Sequence, residues 1–319
     1  MPLLVGIDEA GYGPTLGPLV VAASLWRTGP ERLRADGWQL LRECVVRKAT
    51  RGQWRLAVND SKSVFDRKRG LHTLERAVLA FARCAGLDCS RLDRLLDGLG
   101  ARVGDDCPLG WYRELECQLP LEAASGRVEA VAGRLERTMR SARMVCQRLR
   151  AELLTEDRFN RRIAQTRNKA AVLAELVLRL IDRAGRAAGE QTLVVRVDRL
   201  GGRTDYARLL RQAFEDRELT ELELCAQYSR YRLSGAGGDW FIEFAVDADR
   251  QHLPVALASM TAKYVREALM QRFNRWWARR VDGVRPTAGY YTDAQRFLED
   301  VESHIEPAGL KREWFVRAR

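Results

Sequence analysis

The sequence predicts an α/β protein, a mixed sheet with helices packed on it. Three observations lead there. Short apolar runs bounded by turn formers open the chain, a long stretch with helical spacing fills its middle, and strand-like and helix-like segments then alternate to the end. Residues 3–7, Leu-Leu-Val-Gly-Ile, form an apolar run ending at Asp8, and residues 18–26 form a second. Between them Gly11-Tyr-Gly-Pro-Thr-Leu-Gly17 is dense in turn formers, so the opening reads strand, glycine loop, strand. A third strand is expected at 53–58, stopping at Asn59-Asp60.

From 67 to 187 the spacing is helical. Leu71, Leu74, Val78 and Phe81 recur at intervals of three and four, as do Val128, Val131, Leu135, Ala142, Val145 and Leu149, and then Val172, Leu176 and Leu180. A loop is expected at 98–110, around Pro108. The segment 127–150 reads as one amphipathic helix whose outer side carries Arg127, Arg134, Arg137, Arg140, Arg143, Arg148 and Arg150. That side is either a solvated face or a track for phosphates. Strands are expected again at 192–197, 221–226 and 240–246, with helices at 204–215, 254–280 and 292–303.

A length of 319 residues allows one large domain or two small ones, and a hydrophobic share of 46% supplies a real core, which excludes wholesale disorder. The net charge of +11 calls for an acidic partner, of which nucleic acid is the commonest. The N-terminal apolar run is too short and lacks the basic flank of a signal peptide. No apolar run reaches the roughly 20 residues of a membrane span, so a cytoplasmic protein with no membrane partner is expected. The seven cysteines form no C-x-x-C pair, which argues against a disulfide framework or zinc site, and three scattered histidines leave little for histidine chemistry.

The acids are more informative. The first strand ends at Asp8-Glu9, the strand at 192–197 runs into Asp198, and the strand at 240–246 runs into Asp247-Ala-Asp249. Acids at strand ends are also what solvated loops carry. If these strands are sheet neighbours, however, their carboxylates converge at one edge. Clustered carboxylates repel one another and make sense around cations. Oxygen-only ligands favour Mg²⁺ or Mn²⁺, and two such ions roughly 3.5–4 Å apart form a clamp for phosphodiester hydrolysis. Gly11, Gly13 and Gly17 fit neither a dinucleotide fingerprint nor a P-loop. They form either a plain tight turn or a backbone able to approach a sugar-phosphate chain.

Read in order, several segments resemble one family. Asp8-Glu9-Ala10-Gly11-Tyr12-Gly13-Pro14 followed by Gly17-Pro18-Leu-Val-Val-Ala-Ala resembles the opening of ribonuclease HII, the type 2 ribonuclease H. Asn59-Asp60-Ser61-Lys62 with Lys68-Arg69 downstream is similar to its Asp-Ser-Lys motif, and Val197-Asp198 to its third acid. Asp249 ahead of Ala258-Ser259-Met-Thr-Ala262-Lys263-Tyr-Val-Arg266-Glu267 resembles its last acid and following helix, and that spacing favours Asp249 over Asp247. Gly289-Tyr290-Tyr-Thr292 is similar to its Gly-Tyr-x-Thr.

The resemblance implies a ribonuclease H-like mixed five-stranded sheet flanked by helices. Residues 1–70 and 190–319 would form the catalytic domain, and 71–189 an extra helical insertion partly belonging to it. It implies Asp8, Glu9, Asp198 and Asp249 as catalytic metal ligands for two Mg²⁺ or Mn²⁺ ions, with Asp8 shared by both. Water would attack the phosphorus in line and leave a 3′-hydroxyl and a 5′-phosphate. Gly11, Tyr12, Gly13, Ser61, Lys62, Lys263 and Tyr290 are the expected substrate contacts. Lys263 reads equally as a surface lysine, and Tyr290 as a packing side chain. The partner would be an RNA–DNA hybrid or another RNA-containing duplex. Tyr12 stands where the family has the arginine of a Gly-Arg-Gly loop, which reads the ribose 2′-hydroxyl at an RNA–DNA junction; the related ribonuclease HIII also lacks that arginine. A nucleic-acid-binding protein with weak catalysis, or a DNA-repair or junction nuclease on the same fold, are the alternative readings.

Overall fold

The first strand is buried along almost its whole length, as a strand with neighbours on both sides and helices on both faces must be. The computed structural model describes residues 1–50, 53–65, 70–113 and 115–318. In chain order the first half holds β1 (Leu3–Ala10), β2 (Leu19–Thr28), α1 (Gly37–Leu40), β3 (Val45–Val46), β4 (Leu56–Ala57), α2 (Ser61–Val64), α3 (His72–Cys84), α4 (Leu92–Leu99) and α5 (Ser125–Ser141). Then come β5 (Met144–Leu154), α6 (Glu156–Thr166), α7 (Lys169–Ala188), β6 (Leu193–Asp198), α8 (Ala207–Ala213), β7 (Glu218–Leu224) and β8 (Tyr228–Ser234). The chain ends with β9 (Trp240–Ala245), α9 (Ala248–Gln251), α10 (Leu253–Ala278), α11 (Tyr291–Val301) and α12 (Arg312–Phe315).

The sheet is mixed, with the order β5-β2-β1-β6-β9-β8-β7. β1, β6 and β9 are parallel neighbours, and the remaining pairings are antiparallel. The α/β class holds, but the sheet has seven strands among the described residues where five were expected, because the β7–β8 hairpin extends one edge. Alternation along β1 divides the interior. Leu4 faces a core shared with β2, β5, α3, α4, α5 and α10, whereas Leu3, Val5 and Ile7 face a second core shared with α7 and α8. Helix α10 crosses close over β1. A Cβ at Gly6 would lie 2.2 Å from the carbonyl carbon of Pro254, and Ser24 on β2 donates to the Pro254 oxygen at 2.6 Å. Glycine at position 6 is what allows this helix to approach the strand that carries Asp8.

The expected helix at 127–150 is corrected. It ends at Ser141; Arg143 turns the chain with φ 49°, and Met144–Leu154 is a strand paired with β2. The pairing skips a residue between Cys146 and Arg148, so the inward positions Met144 and Cys146 shift phase to Leu149, Ala151 and Leu153. A bulged strand thereby mimics helical spacing. Arg148 and Arg150 are therefore strand residues. The block 71–189 accordingly supplies β5 to the sheet as well as helices to both of its faces. Of the expected strand at 53–58, only Leu56–Ala57 pairs, with Val45–Val46, in a separate small ladder. No helix among the described residues is long and apolar enough to cross a membrane.

Candidate active site

Because β1, β6 and β9 are adjacent and parallel, their C-terminal ends reach the same edge of the sheet. Ile7 pairs with Val197, so the next step along the register sets Asp8 beside Asp198, on strands about 4.8 Å apart. Asp198 pairs with Ala245, two residues short of Asp247. Asp247 takes the left-handed conformation, φ 50°, and this reversal starts the single turn α9, which carries Asp249 inward. Asp249 is buried while Asp247 is exposed and lies 3.7 Å from Arg250. Ala248 N–H donates to Asp198 at 2.8 Å, tying the start of α9 to β6.

The carboxylates feel one another. Burial, then Glu9 and Asp198, push the Asp8 carboxyl well above its ordinary range, opposed by a hydrogen bond from Ser259. Glu9 is pushed up to about 7 by burial and by Asp198, with the Lys62 ammonium pulling the other way. Asp249 is pushed up to about 7 by burial, Asp198 and Asp60. Asp198 is raised as well, first by burial. Among the described residues no three His, Cys, Asp or Glu side chains come close enough to enclose an ion as they stand. Two features nevertheless suit a hard divalent cation. The donors are all oxygens, and Glu9 Oε2 is a buried acceptor with no hydrogen-bond partner.

Residues around the acids come from α2, α10 and the glycine loop. Asp60 caps α2 by accepting from Lys62 N–H at 2.9 Å and takes Arg250 at 3.2 Å. Ser61 is buried and its hydroxyl meets Ser259 at 3.1 Å, so α2 is fixed to the helix that reaches Asp8. Lys62 is exposed, and its charge offsets part of the rise in both Glu9 and Asp198. One turn along α10 from Ser259, Lys263 lies over the Phe65 ring and pairs with Glu267 at 2.7 Å.

The glycine loop is backed by two buried arginines. Arg266 donates to the oxygens of Leu16 and Ala288, at 3.2 and 2.9 Å, and Arg317 donates to those of Gly11 and Tyr12. Gly11 has φ 91°, and a Cβ there would stand 2.4 Å from the Pro18 oxygen, so this position requires glycine; Gly13 faces open space. Tyr12 is half-buried, with its hydroxyl raised by burial and by Glu9. Tyr290 is exposed, above the Arg266 guanidinium, and the preceding Gly289 oxygen accepts from Thr15 and Leu16.

The chain matches no protein-family model and no curated protein sequence. Among solved structures it is similar to the ribonuclease HII of Archaeoglobus fulgidus, seen in a complex with PCNA, at 19% identity over 99% of this chain and 94% of that one, TM-score 0.42. It is similar to ribonuclease H2 of Pyrococcus horikoshii OT3 at 15% identity over 98% and 92%, TM-score 0.46. Bst-RNase HIII in complex with Mn²⁺ is matched at 14% identity over 86% and 55%, TM-score 0.35. The chain resembles type 2 ribonucleases H.

The structure brings Asp8, Glu9, Asp198 and Asp249 to one edge with Lys62, and puts Gly11, Tyr12, Gly13 and Tyr290 in one adjoining wall. Ser61 and Lys263 are engaged with neighbours on α10. Lys68 and Arg69 lie outside the described residues. Sequence reading passed over Asp60 and Ser259 as site residues although both sit inside quoted motifs, and passed over Arg317, whose partners lie about 300 residues away and leave no local signal.

Proposed function

We propose that this chain is a metal-dependent endonuclease that hydrolyses the RNA strand of RNA–DNA hybrids or other RNA-containing duplexes, with Asp8, Glu9, Asp198 and Asp249 holding two Mg²⁺ or Mn²⁺ ions. The observation that carries it is the convergence of these acids at one edge, from β1, β6 and the turn α9 that follows β9, where burial raises all four and neighbouring carboxylates add to the rise. Such an arrangement is costly alone and relieved by cations. Bound there, divalent ions supply the positive charge that lowers the pKa of water and stabilises a leaving oxygen.

The chain's own groups do the rest. Ser259 orients Asp8, Ala248 N–H orients Asp198, and Lys62 is placed to meet a phosphate beside the acids. The open loop at Gly11–Gly13 and the exposed Tyr290 offer backbone and ring to a sugar. The RNA-containing substrate rests on the ordered motif set from Asp8-Glu9 to Gly289-Tyr290, and the seven free cysteines suit a reducing cytoplasm.

The test is calorimetric titration of Mn²⁺ into wild type and Asp8→Asn. Saturable binding that Asp8→Asn abolishes supports the assignment. Equal binding by both proteins would remove the acids from the metal site.

A further inference from the structure

We propose a second nucleic-acid contact, an arginine-walled groove between α5 and Gln53-Trp54, just ahead of β4, that holds the phosphates of the substrate beyond the cleaved bond. It rests on the nuclease reading only for the identity of the strand. Its own evidence is separate. Two adjoining hollows of about 540 and 460 Å³ share Trp54 and Arg134; the first also takes Arg76 and Arg127, the second Arg137 and one carboxylate, Glu43.

On a helix, positions 127, 134 and 137 fall on one side and span about 15 Å. A duplex presents roughly four phosphates per strand over that length. The acids of α5 are turned to other arginines: Glu129 pairs with Arg83 at 3.3 Å and Glu136 with Arg140 at 2.6 Å. Among the described residues Arg127, Arg134 and Arg137 then have no carboxylate partner, and all three are exposed. Arg134 lies 4.7 Å over the indole of Trp54, which is 44% exposed. Arg76 fixes that segment by donating to the main-chain oxygens of Trp54 and Arg55, at 2.9 and 2.5 Å.

Guanidinium groups unpaired with carboxylate, next to a partly exposed indole, are what a nucleic-acid strand engages, by charge-assisted hydrogen bonds to phosphate and by stacking. The groove is also within reach of the acids. Asp60 lies six positions after Trp54, an extended reach of about 20 Å. One substrate can therefore contact both.

The experiment is anisotropy binding of labelled 8- and 24-base-pair RNA–DNA hybrids and a 24-base-pair DNA duplex to the full chain without divalent metal, over a salt series. Wild type is compared with the triple variant Arg127→Gln/Arg134→Gln/Arg137→Gln, with Trp54→Ala, and with a charge-matched control, Arg102→Gln/Arg208→Gln/Arg275→Gln. The triple variant should lose about tenfold or more in affinity for the long duplexes and about 2 to 3 in salt slope, with the 8-base-pair hybrid and the melting temperature unchanged. Trp54→Ala should weaken long-duplex binding with the slope kept. An unchanged slope, equal losses on short and long hybrids, or an equal loss in the control would overturn the groove. The binding readout is independent of cleavage, so a protein that cuts no duplex would still decide the question.

Discussion

Arg317 donates to the main-chain oxygen of Tyr12 at 3.1 Å from the far end of the chain, and also to that of Gly11. Its guanidinium lies 3.9 Å over Phe159, and burial, then Arg266, lower it to about 10. The C-terminal segment and the glycine loop are thus one unit. Arg317→Ala should cost about 2 kcal/mol in urea unfolding, the range for hydrogen bonds to a charged group, and should raise KM more than it lowers kcat. Arg317→Lys, which lacks the fork, should fall between. Wild-type stability in Arg317→Ala would show that the loop stands without it.

The raised acids make the metal-free protein pH-sensitive. Glu9 and Asp249 titrate near 7 when folded, against about 4 when unfolded. A carboxyl whose folded pKa is raised binds its proton more tightly in the folded state. Its stabilising contribution is full below the unfolded pKa and is lost as pH rises toward 7. Metal-free protein should therefore melt several degrees higher at pH 5 than at pH 8. Mn²⁺ at pH 8 should restore the melting temperature in wild type and leave Asp8→Asn unmoved. Scanning calorimetry with and without chelator reads both.

Asp249 and Asp247 separate by burial and direction. Asp249→Asn should reduce cleavage at least about a hundredfold, the scale of losing a group that acts on transition-state charge. Asp247→Asn, which removes an exposed carboxylate on the solvent side of the turn, should leave it within a few-fold. Steady-state rates on one hybrid decide between them, and the reverse order would exchange their roles.

Tyr12 should set substrate preference. Restoring charge with Tyr12→Arg should raise cleavage beside a single embedded ribonucleotide relative to cleavage within a continuous hybrid, measured as a ratio of kcat/KM values. An unchanged ratio would show that this side chain does not read the junction.

The strands that build the acidic edge were legible because β1, β6 and β9 are apolar runs with acids at their ends, a local pattern that burial imposes on central strands. β5 was not, because its bulge breaks the alternation that marks a strand. β8 alternates as a strand should but was missed because its inward set, Ser229, Tyr231 and Leu233, holds one aliphatic residue, and Arg230 and Arg232 on the other face make the segment read as polar. Motif order singled out the four acids that the structure gathers at one edge of the sheet. It did not single out Asp60, Ser259 and Arg317, because each acts through a tertiary partner, Arg250, Asp8 and Tyr12 respectively, that no spacing rule reveals.

Four carboxylates, Asp8, Glu9, Asp198 and Asp249, are proposed to direct hydrolysis of RNA within a duplex. Its most direct measurement is cleavage of four labelled duplexes with Mg²⁺ or Mn²⁺ by wild type and Asp8→Asn: an RNA–DNA hybrid, DNA with one embedded ribonucleotide, plain DNA and plain RNA. Wild type should cut RNA-containing hybrid substrates alone, and the cutting should be lost on chelation and in Asp8→Asn. No cutting of any duplex with binding retained, or cutting that survives Asp8→Asn, would contradict this assignment.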